Sequence, residues 1–253
     1  MFRNCLLCIQ NDRTMNKNMK YAGTDKMGDL ICENYNLLLV MSRFGLSLGF
    51  GDRTVEQVCE AQGVHTGTFL AVVNFMDDEC CVADDFRKEL SIEALMDYLK
   101  RAHVYFLDFK LQAIRRKLVE ALEVTKEEPG REVAGLILKF YDAYVHEVQA
   151  HMGYENQVVF TYVEALLRGE VLPEYNIGVF ARRHNQIETK LTELKNIMVK
   201  YYPARVDNEY LNEVLFDIYA CEQDLCSHCR VEDYMFVPLI LELEKKSECH
   251  ARG

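Results

Sequence analysis

The chain has 253 residues, 49% of them hydrophobic, which is enough apolar material for one large domain or two ordinary ones. Its 29 Lys and Arg stand against 40 Asp and Glu, a formal net charge of −11. No basic cluster offsets that acidity, so nucleic acid and anionic membrane surfaces are not expected as partners.

Residues 1–20 are polar and irregular and read as a disordered tail. Arg3 and a brief apolar patch, Leu6 to Ile9, are followed at once by polar residues, with no h-region and no small-residue cleavage site. Met15 or Met19 could equally serve as the start. The longest apolar stretches, residues 37–41 and 235–241, are too short to span a bilayer, so a cytoplasmic protein is expected.

Residues 21–80 read as a small helical domain. Met27, Leu30, Ile31, Tyr35, Leu38 and Leu39 recur at helical spacing and predict one amphipathic helix. Gly45, Gly49 and Gly51 interrupt it as a turn. Thr54 is placed to cap a short second helix over residues 55–61. Gly63 ends that helix, and Thr66 or Thr68 opens a third running to about Met76. These pieces could be read as helix–turn–helix, but the segment lacks the Lys and Arg that phosphate contacts require. The acidic stretch from Asp77 to Asp85 marks the boundary to a second domain at residues 88–248.

That second domain carries four long helical patterns, at about residues 91–124, 131–168, 177–201 and 207–246. Pro129, Pro173 and Pro203 fall in the three gaps, where a helix breaker belongs. Short connections make successive helices antiparallel neighbours, so the expected fold is all-α, an up-down-up-down four-helix bundle. The second and fourth helices carry related signatures, His151-Met-Gly-Tyr-Glu155-Asn and His228-Cys-Arg-Val-Glu232-Asp. Residues four apart share a helix face one turn apart, so each imidazole and carboxylate can reach one metal ion. His103 and His184 lie on the apolar stripes of the preceding helices, 48 and 44 residues before their partners. The domain is therefore two hairpins of one pattern.

Four imidazoles, His103, His151, His184 and His228, and two carboxylates, Glu155 and Glu232, thus face one core. A single histidine on an apolar stripe is usually a satisfied core residue. Six such groups without a metal would leave charges and lone pairs unpaired in the interior. Six ligands do not saturate two six-coordinate ions, which leaves positions for an oxo or hydroxo bridge and a small molecule. Mixed N/O ligation suits iron best, manganese next and zinc less well. Glu147, one turn before His151, is placed to orient a ligand or guide protons. Glu188 matches His184 in spacing but has no counterpart on the first helix, where Leu107 sits, so it reads as a supporting or solvent-facing group.

Ten cysteines in a chain of this length are too dilute for a disulfide scaffold. Cys5 and Cys8 fall in the tail, and Cys80 and Cys81 are vicinal in the acidic stretch. Cys226 and Cys229 flank His228, and Cys229 points about 100° away from it around the helix. All ten read as reduced packing or surface thiols, with a supporting or redox role for Cys226 as the minority reading.

These stretches, with Lys100-Arg-Ala-His103 and Arg183-His184, resemble the hemerythrin-like metal-binding domain. Residues 25–245 as a whole resemble the iron–sulfur cluster repair proteins, the di-iron repair of iron centres family. The likeness extends through Asp29-Leu-Ile-Cys-Glu-Asn-Tyr, Phe44-Gly-Leu and Thr54-Val-Glu-Gln-Val-Cys59. The resemblance implies two irons held by His103, His151, His184 and His228, with Glu155 and Glu232 bridging. It also implies a stress-response role: supplying iron to damaged iron–sulfur proteins, or binding or reducing nitric oxide. A fifth suitably placed histidine, which oxygen-carrying hemerythrins use, is absent from the pattern. The chain departs from the repair family where a vicinal Cys-Cys is usual, having Gly49 and Phe50, and it keeps Pro238 but has Thr161 at the equivalent site. That departure suits the alternative of a di-iron O2 or NO sensor. A homodimer through the N-terminal helices is compatible with either.

Overall fold

A computed structural model describes residues 20–77, 90–123, 130–170, 175–181, 187–202 and 209–251. Every regular element among them is helical, apart from an isolated antiparallel bridge between Lys26 and Thr54. The expected all-α class holds. No described helix is long and apolar enough to cross a membrane.

The single amphipathic helix expected from Met27 onward is two, α1 (Met27–Glu33) and α2 (Leu37–Phe44). Asn34 ends α1 in an extended conformation, and its side-chain oxygen accepts the Asn36 N–H. Such a local side-chain bond competes with the helix, and periodicity alone does not register it. Gly45 closes α2 at φ +76°, and a Cβ there would stand 1.9 Å from the Arg101 guanidinium. The left-handed backbone favours glycine at that position, and a side chain there would also have to push the flexible Arg101 end aside. Helix α3 (Val55–Ala61) starts as expected, with Thr54 and Gln57 forming a reciprocal capping box. Helix α4 (Thr66–Asp77) has a different cap, because the His65 Nδ1 accepts the Thr68 N–H at 3.1 Å.

The first bundle helix comprises α5 (Ile92–Val104), a π-helical segment (Tyr105–Lys110) and α6 (Leu111–Glu123). The second comprises α7 (Gly130–Tyr154), a π segment (Glu155–Val159) and α8 (Phe160–Leu167). Of the third, α9 (Ile187–Tyr201) is described. Its expected start at Ile177 is instead a 3-10 turn (Ile177–Val179), whose first N–H donates to Glu244 Oε1 at 2.8 Å. The fourth is α10 (Glu209–Val231), a π segment (Glu232–Phe236) and α11 (Val237–Ala251).

Cross-links show the direction of packing. Lys100 pairs with Glu164, His103 with Asn156, Tyr141 donates to the Leu111 carbonyl, and Arg115 pairs with Asp142, so the first two helices run antiparallel. His103 meets His228 while Lys110 and Lys117 share Asp217, so the fourth helix runs antiparallel to the first. Helix α9 packs between α7 and α10 and closes the ring.

Two buried clusters fill the molecule. One joins the N-terminal helices to the bundle: Met41, Phe44 and Phe69 lie with Tyr98, Phe160 and Phe236. Phe44 sits 4.9 Å from the Tyr98 ring and 5.4 Å from Phe69, centroid to centroid. The other cluster belongs to the bundle alone, around Leu118, Ile137, Tyr141, Leu194 and Ile218. The tail, most of the acidic stretch, Cys80 and Cys81 lie outside the described residues.

One ion pair ties the halves together. Arg43 on α2 is buried, and its Nη2 stands 2.6 Å from Asp224 Oδ2 on α10. Its guanidinium also lies over the rings of Tyr98, Tyr105 and Phe106, at 5.9, 5.5 and 5.1 Å. Removing one partner of such a pair strands the other charge. Arg43→Ala is expected to lower unfolding stability by about 3–5 kcal/mol in a urea titration, whereas the double replacement Arg43→Met with Asp224→Leu recovers most of that loss.

Candidate metal centre

The amino-acid pattern places His151 and Glu155, and His228 and Glu232, one helical turn apart, and the backbone adds a second device. The π segments of the second and fourth helices begin at Glu155 and Glu232, and that of the first begins two residues after His103. Each closes with a hydrogen bond across five residues: Leu111 to Phe106, Phe160 to Glu155 and Val237 to Glu232. Such wide turns are rare, sacrifice regular hydrogen bonding and recur at functional sites. The same distortion in both halves of the repeat puts the two glutamates in equivalent backbone settings.

His103, Glu155, His228 and Glu232 are all essentially inaccessible to solvent, and one ligand atom of each lies within 4.8 Å of the others. His103 Nε2 is 3.0 Å from Glu155 Oε2 and 3.2 Å from His228 Nε2. His228 Nε2 is 3.2 Å from Glu232 Oε1. His151, slightly more open, has its Nε2 2.7 Å from Glu155 Oε1. A second group shares Glu232: one ligand atom each of His151, Cys229 and Glu232 also falls within 4.8 Å. The His103 ring stacks on Phe160 at 5.5 Å, and His151 on Phe180 at 6.5 Å, so aromatic walls fix both imidazoles.

The donor chemistry fits a cation. His103 Nδ1 lies 2.9 Å from Asn156 Oδ1, an oxygen that only accepts, so Nδ1 carries the proton. In the neutral ring Nε2 is then a lone pair, aimed at a carboxylate oxygen and at a second imidazole nitrogen. Lone pairs and negative charge gathered without water repel strongly. Either protons or a metal must sit among them. Burial alone would depress His103, yet the Glu155 and Glu232 carboxylates outweigh it and raise its pKa above the ordinary histidine value. A metal ion answers the same charge, and hydrogen-bonded imidazoles beside carboxylates are its usual ligands.

Of the six ligands expected from sequence, the structure brings five together: His103, His151, Glu155, His228 and Glu232. His184 lies outside the described residues, as does the Glu188 side chain, although the Glu188 backbone is helical. Glu147 is half-buried one turn before His151. Two residues close to the site escaped sequence reasoning. Asn156 stands inside the repeated signature, but nothing in it announces a bond to the first helix. Cys229, like the other cysteines, reads from sequence as a packing or surface thiol, and it points away from His228. In the bundle that direction leads toward the second helix, where His151 sits. Burial, reinforced by Glu232 and Glu155, pushes its thiol well above the ordinary value.

The hemerythrin HHE cation binding domain family has a model that matches residues 82–240 of this chain, which contain every candidate ligand named above. No curated protein and no solved structure matches the chain.

Two outcomes follow. A partner that orients a ligating histidine typically governs affinity, so Asn156→Ala should weaken metal binding roughly 10–100-fold in a chelator competition. Stripping the metal should lower the thermal midpoint, because an ion at 100 times its dissociation constant adds about 2.7 kcal/mol to the folded state. A midpoint unchanged by chelator would contradict the fit of donors to cation.

Proposed function

The chain belongs to the hemerythrin HHE cation-binding family, and from that premise we propose that its bundle holds two irons for the repair of damaged iron–sulfur clusters. In this reading His103 and His228 serve one ion and His151 and His184 the other, with Glu155 and Glu232 shared. One observation carries it: the two oxygens of Glu155 face different imidazoles, Oε2 toward His103 and Oε1 toward His151. A carboxylate placed so is suited to span two cations. Nitrogen and oxygen donors favour iron over zinc, with manganese next.

When bound, such a pair supplies redox chemistry and open positions for a diatomic ligand such as NO. The protein's own groups set the conditions. The aromatic walls and apolar clusters keep water from the donors, and the shared carboxylates hold charge where the ions sit. A cytoplasmic protein of this kind would meet nitrosative or oxidative stress by giving iron to damaged proteins or by binding or reducing NO.

A second reading, a sensor of O2 or NO, has one feature in its favour. Arg43 of α2 lies over Phe106, whose ring is 5.9 Å from that of His228, so an N-terminal helix touches the wall of the centre. The readings part in one experiment. Iron-loaded protein is mixed with a nitrosylated iron–sulfur enzyme, and recovery of that enzyme's activity is followed. Recovery, lost in His151→Ala and Glu232→Ala variants along with their iron, supports repair. Iron-loaded protein that restores nothing, yet changes its N-terminal protease sensitivity on NO exposure, supports sensing instead. Purified protein without iron, or variants with undiminished iron, would sink both.

A further inference from the structure

We infer that Cys229 is a metal ligand, so that one of the two cation positions has a thiolate among its donors and the other does not. The inference rests on the two-ion reading above and goes beyond its donor set. It starts from the second group of converging atoms, in which the Cys229 sulfur, an imidazole nitrogen of His151 and a carboxylate oxygen of Glu232 all lie within 4.8 Å. Ligand atoms on one ion stand roughly 3–4 Å apart, given bonds of about 2.0–2.3 Å, and that envelope spans such a separation. Glu155 Oε1 adds a further oxygen 2.7 Å from His151 Nε2, so the sulfur joins a real donor cluster.

The sulfur is not a substitute for any donor of the first group. His103, Glu155, His228 and Glu232 assemble without it, and Cys229, about 100° around α10 from His228, groups with His151 instead. The two positions therefore differ in kind. Among the described residues, one is bounded by two imidazoles and carboxylates, the other by the His151 imidazole, carboxylates and a sulfur. A thiol resting between a histidine and carboxylates gains little as a hydrogen-bond donor, since S–H is weak. It gains a strong bond once it loses its proton to solvent and binds a cation. Sulfur donation favours softer divalent ions at this position more than nitrogen and oxygen alone would. The neighbouring Cys226 serves as an internal control: it is half-buried on the same helix, yet belongs to neither donor group among the described residues.

Cobalt(II) titration of the metal-free full-length chain tests this directly, because a thiolate bound to cobalt gives an intense near-ultraviolet charge-transfer band. The expected wild-type result is two bound cobalt ions and a band that develops with only one of them. Cys229→Ser should lose the band and bind that ion roughly tenfold or more weakly, while Cys226→Ser keeps both properties. Should Cys229→Ser fold poorly, the wild type itself answers through iodoacetamide labelling and peptide mapping. Cobalt should then protect Cys229 and leave Cys226 reactive. Two bound ions with no band, a band that survives Cys229→Ser, or equal labelling of Cys229 with and without cobalt would overturn the inference and leave the two-ion reading standing. A chain that binds neither cobalt nor iron would defeat the two-ion reading and this one with it.

Discussion

The bundle is organised around a charge it cannot hydrate. His103, Glu155, His228 and Glu232 converge in the interior from three helices, at 0–1% exposure. An isolated carboxylate in such surroundings is strongly unfavourable, and two together repel. A cation of either kind, proton or metal, is therefore a structural requirement as much as a functional one. The apolar residues above and below the centre do the ordinary work of folding, but they do so around a polar layer that is stable only when its charge is balanced.

The rest of the architecture serves that layer. The π turns begin at or within two residues of ligand candidates on three helices, and the tryptophan-free core presents Phe160 and Phe180 to the imidazole rings. Salt bridges on the outer faces, such as Lys110 and Lys117 on Asp217, hold the helices in register at the surface. Being partly exposed, each contributes little alone. Arg43 is different, because it is buried and reaches from α2 to Asp224 over the aromatic side chains that wall the centre. Through it, the placement of the N-terminal helices and the geometry around His228 depend on each other.

Much of this was legible because helical spacing is a local property. The turn from His151 to Glu155 and from His228 to Glu232 and the Thr54 cap all follow from neighbours in sequence, and the structure reproduces them. What escaped is what local spacing does not encode. The break at Asn34 depends on one side-chain hydrogen bond to Asn36. The π segments have no residue signature, since one inserted position changes no composition. Arg43 and Asp224 are 181 residues apart, and neither residue type predicts burial. The approach of Cys229 to His151 and Glu232 is not legible either, because only the assembled bundle shows which helix its side of α10 faces.

The central claim is that the two glutamates hold two irons between the histidines, and diffraction at the iron absorption edge from iron-loaded crystals tests it most directly. The account predicts two anomalous peaks inside the bundle, one beside His103 and His228 and the other beside His151, with the Glu155 carboxylate between them. A single peak, or iron found only outside the cluster, would contradict it.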